Sequence, residues 1–165
     1  MSSVRRQVTA DEFRRACGRF ATGVTVATVL DSQSAPHGLT VSSFTSVSLD
    51  PPLILICLGH AVTCIDHFRG ALHFGINVLS DAQRALSDRF ARKGEDRFNG
   101  MPWERGETGV PLLPGCLAQI ECEIQQRFTS GDHDIFVGRM VRAEVSDGEA
   151  LIYFASRYRE LRELP

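Results

Sequence analysis

Residues 37–52 read "HGLTVSSFTSVSLDPP" and separate two apolar runs, one ending at Val41 and the other running from Leu53 to Leu58. Hydroxyls at Thr40, Ser42, Ser43, Thr45, Ser46 and Ser48 stand where a plain strand would carry β-branched apolar residues, and Asp50 and two prolines close the stretch. A solvent loop would use charge and glycine, and a fully packed strand would use Val and Ile. A row of hydroxyls at the edge of a core offers many hydrogen bonds without charge. It either solvates an edge strand or lines a polar ligand. On a strand Thr40 and Ser42 point one way and Ser43 the other.

Working outward, Val24 to Leu30 is a β-branched strand, residues 31–34 ("DSQS") a turn, and Ala35 to Val41 the returning arm of a hairpin. Leu53 to Leu58 is apolar on both faces and therefore central. Val62 to Phe68 reads as a short helix, His73 to Leu79 as a strand, and Asp81 to Ala91 as a helix capped by Ser80. Residues 10–21 show helical periodicity that makes Phe13 and Phe20 core residues, and Phe154 is assigned to the core as well. Residues 92–115, rich in Gly, Pro and charge, form a long functional excursion that Trp103 anchors. Leu117 to Phe128 and His133 to Val145 are long strands around a tight turn, and Ala150 to Phe154 is a last strand. The alternating charges from Arg157 to Glu163 read as a solvated helix face. Regular strand–helix alternation fails in the second half, which excludes a parallel α/β sheet. The expectation is one domain over residues 1–165: a mainly β chain of six or seven antiparallel strands in a small barrel with short flanking helices.

The bulk properties narrow the function. The chain has 165 residues, with 18 basic against 20 acidic side chains for a net charge of −2. That balance argues against a nucleic-acid binder. No apolar run reaches the roughly 20 residues of a membrane helix, and Met1 to Arg6 lack the apolar stretch of a secretory signal. A cytoplasmic protein away from membranes is expected, with Cys17, Cys57, Cys64, Cys116 and Cys122 as reduced thiols.

Cys57, His60, Cys64 and His67 have zinc-ligand chemistry, but Cys57 closes an apolar strand and the set spans only eleven residues. No metal is expected. The segment Gly59 to Thr63 opens a short helix after the central strand and suits a phosphate, with Arg89 and Arg92 able to add charge. Gly131, Asp132 and His133 form a tight turn followed by a histidine, by itself most simply a hairpin. No G-x-G-x-x-G follows a strand, so a Rossmann dinucleotide site is excluded.

Four blocks in order, "FRRACGRFATGVTVAT", "HGLTVSSFTSVSLDPPLILICL", "FGINVLSDAQRALSDRFA" and "GDHDIFVGRMVRAEV", cover Phe13 to about Tyr158. Together they resemble the flavin reductase-like family of flavin-binding split barrels, reductase partners of two-component monooxygenases. The resemblance implies a Greek-key split barrel, a homodimer, and an NAD(P)H:flavin oxidoreductase that uses FMN, with FAD also open, and NADH or NADPH as donor. It places Thr40, Val41, Ser42, Ser43, Phe44, Ser46 and Val47 along the flavin, with Cys57 and Leu58 passing over it. Thr63 and Arg89 fall toward the phosphate, beside Phe90 and Ala91. Gly131, Asp132 and His133, with Tyr158, fall at the nicotinamide, and His133 is the candidate catalytic residue. The family often has Ser or Lys where this chain has "GHAVT". A flavoredoxin-like electron carrier, a pyridoxine-phosphate type oxidase and a zinc-stabilised domain are the alternative readings.

Overall fold

The computed structural model describes residues 6–94 and 96–161. The signal-peptide reading of residues 1–5 therefore falls outside the described residues. In chain order the elements are α1 (Ala10–Cys17), β1 (Thr22–Gly23), β2 (Thr25–Leu30), β3 (Pro36–Val41), β4 (Thr45–Ser48) and β5 (Leu53–Gly59). Then follow α2 (Ile65–Gly70), β6 (His73–Val78), α3 (Arg84–Ala91), β7 (Glu104–Arg105) and β8 (Pro111–Leu112). Last come β9 (Ala118–Ser130), β10 (His133–Val145), β11 (Ile152–Phe154) and β12 (Arg157–Arg159). The chain is mainly β, as expected.

Seven strands form one antiparallel sheet in the order β3-β2-β6-β9-β10-β5-β4. Its two edge strands are consecutive in sequence, joined only by residues 42–44. A flat sheet of seven strands would hold its edges about 29 Å apart, at about 4.8 Å per step. The link from Val41 to Thr45 reaches at most about 14 Å. The sheet must therefore curl until its edges nearly meet. They do not pair with each other, so no ladder closes the circle between β3 and β4.

Two clusters fill the curled sheet. Val29, Leu39, Val41, Ile54, Ile56, Leu58, Phe68, Phe74, Ile76 and Phe136 make the larger one. Val24, Val26, Leu79, Phe90, Phe98 and Leu113 make the second, against which Trp103 and Tyr158 pack. The alternation along β5, where Ile54, Ile56 and Leu58 are buried between half-buried neighbours, is the period-2 signature of a strand with one face on the core.

Three expectations need correction. α1 has the expected period and a capping box between Thr9 and Glu12, but it ends at Cys17 and none of its residues is buried. Phe13 and Phe20 are 62% and 78% exposed rather than core, and Phe154 is only partly buried. Arg157 to Arg159 pair with β11 as a strand instead of forming a helix face, while residues 162–163 lie outside the described residues. Trp103 does anchor the long excursion, lying edge-on to Phe98 at 6.3 Å.

Candidate active site

The 42–44 link crosses the end of β5. Ser43 Oγ accepts from the Cys57 backbone N–H at 2.9 Å and donates to the Cys57 carbonyl at 3.0 Å. One hydroxyl thus supplies both contacts a neighbouring strand would have made. Thr40 Oγ1 donates to the Ser87 carbonyl at 2.7 Å and fastens α3 to β3. Part of the hydroxyl run therefore serves the fold. Ser42 and Ser46 are exposed.

Ser42 and Thr40 line a cavity of about 170 Å³ with Val24, Ser87, Ala91, Tyr153 and Tyr158. Ala91, Tyr153 and Tyr158 also line a larger space of about 520 Å³ that reaches Arg84, Ser156 and Arg157. Tyr158 is pinned at their junction. Its hydroxyl donates to Asp88 at 2.9 Å and lies 2.9 Å from Ser87 Oγ, and the Arg84 guanidinium sits 5.1 Å above its ring. Burial pushes the phenol pKa up, which keeps it protonated as a donor.

The second part of the site is the β9–β10 turn. Gly131 takes a left-handed φ of 61°, the conformation glycine adopts without a Cβ penalty. His133 stands opposite Gly59 in the β10–β5 ladder, and Ile135 stands opposite Cys57. Directly paired residues share a face, so His133, Gly59 and Cys57 line the outer face while Leu58, Asp134 and Phe136 turn inward. A Cβ on Gly59 would sit 3.4 Å from His133 Nε2, an ordinary contact distance, so the imidazole lies over the strand at Gly59. His133 Nδ1 is 2.7 Å from Asp132 Oδ1, and that hydrogen bond holds the Asp132 carboxyl below its ordinary pKa range.

Beneath this turn lies a network that sequence reasoning missed. Asp134, 1% exposed, accepts from Arg69 Nε at 2.7 Å and Thr129 Oγ1 at 2.8 Å, with His60 Nε2 at 3.0 Å. The Arg69 and Thr129 hydrogen bonds hold its carboxyl well below the usual carboxylate range. The His60 backbone N–H donates to the Asp132 carbonyl at 2.8 Å, which ties the loop after β5 to the His133 turn. The second acid of "GDHD", one residue past the outward histidine, was the signal available.

Several sequence-predicted residues are placed elsewhere. The side chains of Val41, Leu58 and Phe90 are core, and Phe44 packs against it, so Val41 and Leu58 meet the outer face through backbone alone. Val47 is 48% exposed on β4. Arg89 donates to the carbonyls of Arg97 and Asn99 and so braces the excursion. Thr63 lines a different cavity, with His37, Cys64 and His67. The Cys57–His60–Cys64–His67 set does not converge, since His60 turns to Asp134 and His67 to His37. Burial raises the Cys57 thiol pKa, so it stays protonated.

Neutral hydroxyls, strand-end amides and a histidine fixed by Asp132 make a wall suited to a planar polar heterocycle with a second ring laid upon it. Such a wall fits transfer of hydride between stacked rings.

Comparison with known proteins agrees. A family model described as "Flavin reductase like domain" matches residues 17–162. An FMN reductase (NADH), SmoA, of Agrobacterium fabrum is 45% identical over 86% of this chain and 80% of its own length. The stachydrine N-demethylase reductase subunit Stc3 of Rhizobium meliloti is 41% identical over 88% of this chain and 63% of its own. The chain spans about half the length of other curated relatives that it matches. Among solved structures, the NADH:FAD oxidoreductase SgcE6 of Streptomyces globisporus, in complex with NAD and FAD fragments, superposes with a TM-score of 0.87 at 38% identity, covering 92% of each chain.

Proposed function

The chain belongs to the flavin reductase-like family, and from that premise we propose that it is an NAD(P)H:flavin oxidoreductase. It takes FMN, or FAD, along the wall from Thr40 to Val47 and delivers reduced flavin to a separate oxygenase. The observation that carries this reading is the outer face at the end of β5. There the hydroxyl link, through Ser43, and the His133 turn, through Gly59, meet the same strand two residues apart.

A bound flavin would supply the acceptor for hydride from reduced nicotinamide. The chain's own work is positional. Ser42 and Ser46, exposed on the link and β4, offer hydrogen bonds to the polar edge of the ring, and the backbone amides of residues 42–47 can stabilise negative charge developing there. His133, held by Asp132 on a turn braced through Asp134, orients the nicotinamide carboxamide or phosphates. Tyr158, fixed to α3, borders the nicotinamide side.

The curled sheet with unpaired edges supports a split barrel over a single domain. The uncovered apolar side chains Val8, Phe13 and Phe20 around α1 support a homodimer, since an amphipathic helix without buried residues needs a second surface. A relative that is the reductase component of a flavin-dependent monooxygenase supports an oxygenase partner. Free cysteines throughout fit a reducing cytoplasm.

The test is NADH and NADPH oxidation with and without added FMN. A rate that saturates with FMN and falls in His133→Ala supports the reductase. A protein that holds flavin tightly yet oxidises neither nucleotide is an electron carrier, and the reductase reading fails.

A further inference from the structure

We propose that Asp31, His37 and His67 form a binding site for a divalent transition-metal ion of the zinc type, where the β2–β3 hairpin meets α2. The three come from the β2–β3 turn, strand β3 and helix α2. All are half-buried, and their ligand atoms lie within 4.8 Å of one another.

Asp31 Oδ1 accepts from the backbone N–H groups of Gln33 and Ala35, both at 2.8 Å, which fixes the carboxylate and leaves Oδ2 directed at His37 Nε2, 3.0 Å away. Ligands bound to one ion at about 2.0–2.1 Å stand about 2.9–3.4 Å apart in octahedral or tetrahedral geometry. The Asp31–His37 edge already has that spacing. The His67 ring stacks on His37 with centroids 3.9 Å apart and planes 19° from parallel, so a side-chain rotation completes the set.

A carboxylate locking a hairpin histidine accounts for Asp31 and His37, but it leaves unexplained why a second imidazole from another element lies flat against the first. Two protonated imidazoles would repel in that stack. Two neutral imidazoles beside a carboxylate are a ready donor set for such a cation. His37 and His67 also border a cavity of about 370 Å³, with Thr63, Cys64, Asp96 and Arg97, where open coordination positions can take water. Arg97 turns its N–H groups to the carbonyls of Gly38 and Arg92. A bound ion would clamp α2 to the β2–β3 hairpin.

The experiment strips the full chain with chelator, titrates it with Co²⁺ while following visible d–d absorption, and then displaces Co²⁺ with Zn²⁺. One equivalent should bind, with affinity at least about 100-fold weaker in His67→Ala and in Asp31→Asn, because losing a ligand costs no less than losing its supporting contacts. Asp31→Asn keeps the side-chain oxygen of the turn, so it reports on the ion if His67→Ala folds poorly. A Zn²⁺-dependent rise in melting temperature should vanish in both variants. No d–d bands in the wild type, or unchanged affinity in either folded variant, overturns the site.

Discussion

Replacing Ser43 by Ala tests the central structural claim, that one hydroxyl ties the link between the sheet's edges to β5. Its Oγ makes both a donated and an accepted bond to the Cys57 backbone, at 3.0 and 2.9 Å. Each such bond contributes about 0.5–1.5 kcal/mol net, and a half-buried backbone pair left without partners recovers part of the loss from water, giving about 2 kcal/mol in all. For a chain of this size that corresponds to a fall of about 4–8 °C in melting temperature. The freed link should also let the edge drift and weaken flavin binding. Ser42→Ala is the control. Ser42 is exposed, so its loss should change stability by less than about 0.5 kcal/mol. It removes a hydrogen bond from the ligand side only, raising the KM for FMN about fivefold. Thermal melts and FMN saturation curves on both variants decide the matter. A Ser43→Ala protein melting within about 1 °C of the wild type, or Ser42→Ala falling as far, refutes the reasoning.

Tyr158→Phe, which frees Ser87 and Asp88 from the phenol, should raise the KM for nicotinamide nucleotide several-fold with a smaller change in kcat; steady-state kinetics would reveal an unchanged KM. Asp31, held at about 2 rather than 3.8 mainly by His37 and the Ala35 N–H, binds its proton more weakly folded than unfolded. It therefore stabilises the metal-free protein above about pH 4 and loses that contribution as pH falls toward about 2, so Asp31→Asn should flatten the urea midpoint across that window. A Cβ on Gly138 would meet the Phe74 ring at 2.6 Å and Cys122 at 2.9 Å. Gly138→Ala should cost about 1–3 kcal/mol in a denaturant melt, whereas overpacking predicts little change for Gly70→Ala, which meets nothing within 4 Å. Burial pushes the Cys116 and Cys122 thiols up to about 11 and about 12, so an alkylating reagent near neutral pH should label exposed Cys17 first, as peptide mapping would show.

The strands were legible because their signals are local. The β-branched run of β2 and the unbroken apolar run of β5 mark them as strands, and hairpin spacing pairs β2 with β3 and β9 with β10. That β5 buries one face only, with Leu53, Leu55 and Cys57 half-buried, could not be read from an all-apolar run. What covers an apolar face is not local. The periodicity that makes α1 a helix is the same whether Phe13 meets the chain's own core or another surface, so its exposure could not be read. The roles of polar side chains were hidden for a related reason. Arg89 is spent on carbonyls of residues 97 and 99, whose approach depends on the path of the whole excursion. Sequence pattern assigns the hydroxyls of Thr40 and Ser43 to a ligand wall, whereas their hydrogen-bond partners at residues 87 and 57 come from other elements of the fold. Asp134 was within reach, since strict alternation from an outward His133 sends it inward, where an acid must find partners.

The link between β3 and β4 also acts as a ruler. Its three residues set how far the seam of the curled sheet can open, and one added residue lengthens it by about 3.3 Å, roughly the thickness of an aromatic ring. Changing residue types along residues 42–44 alters what the seam can grip. Changing their number alters whether a flat molecule fits at all. Length is thus the property of this segment with the least freedom to vary.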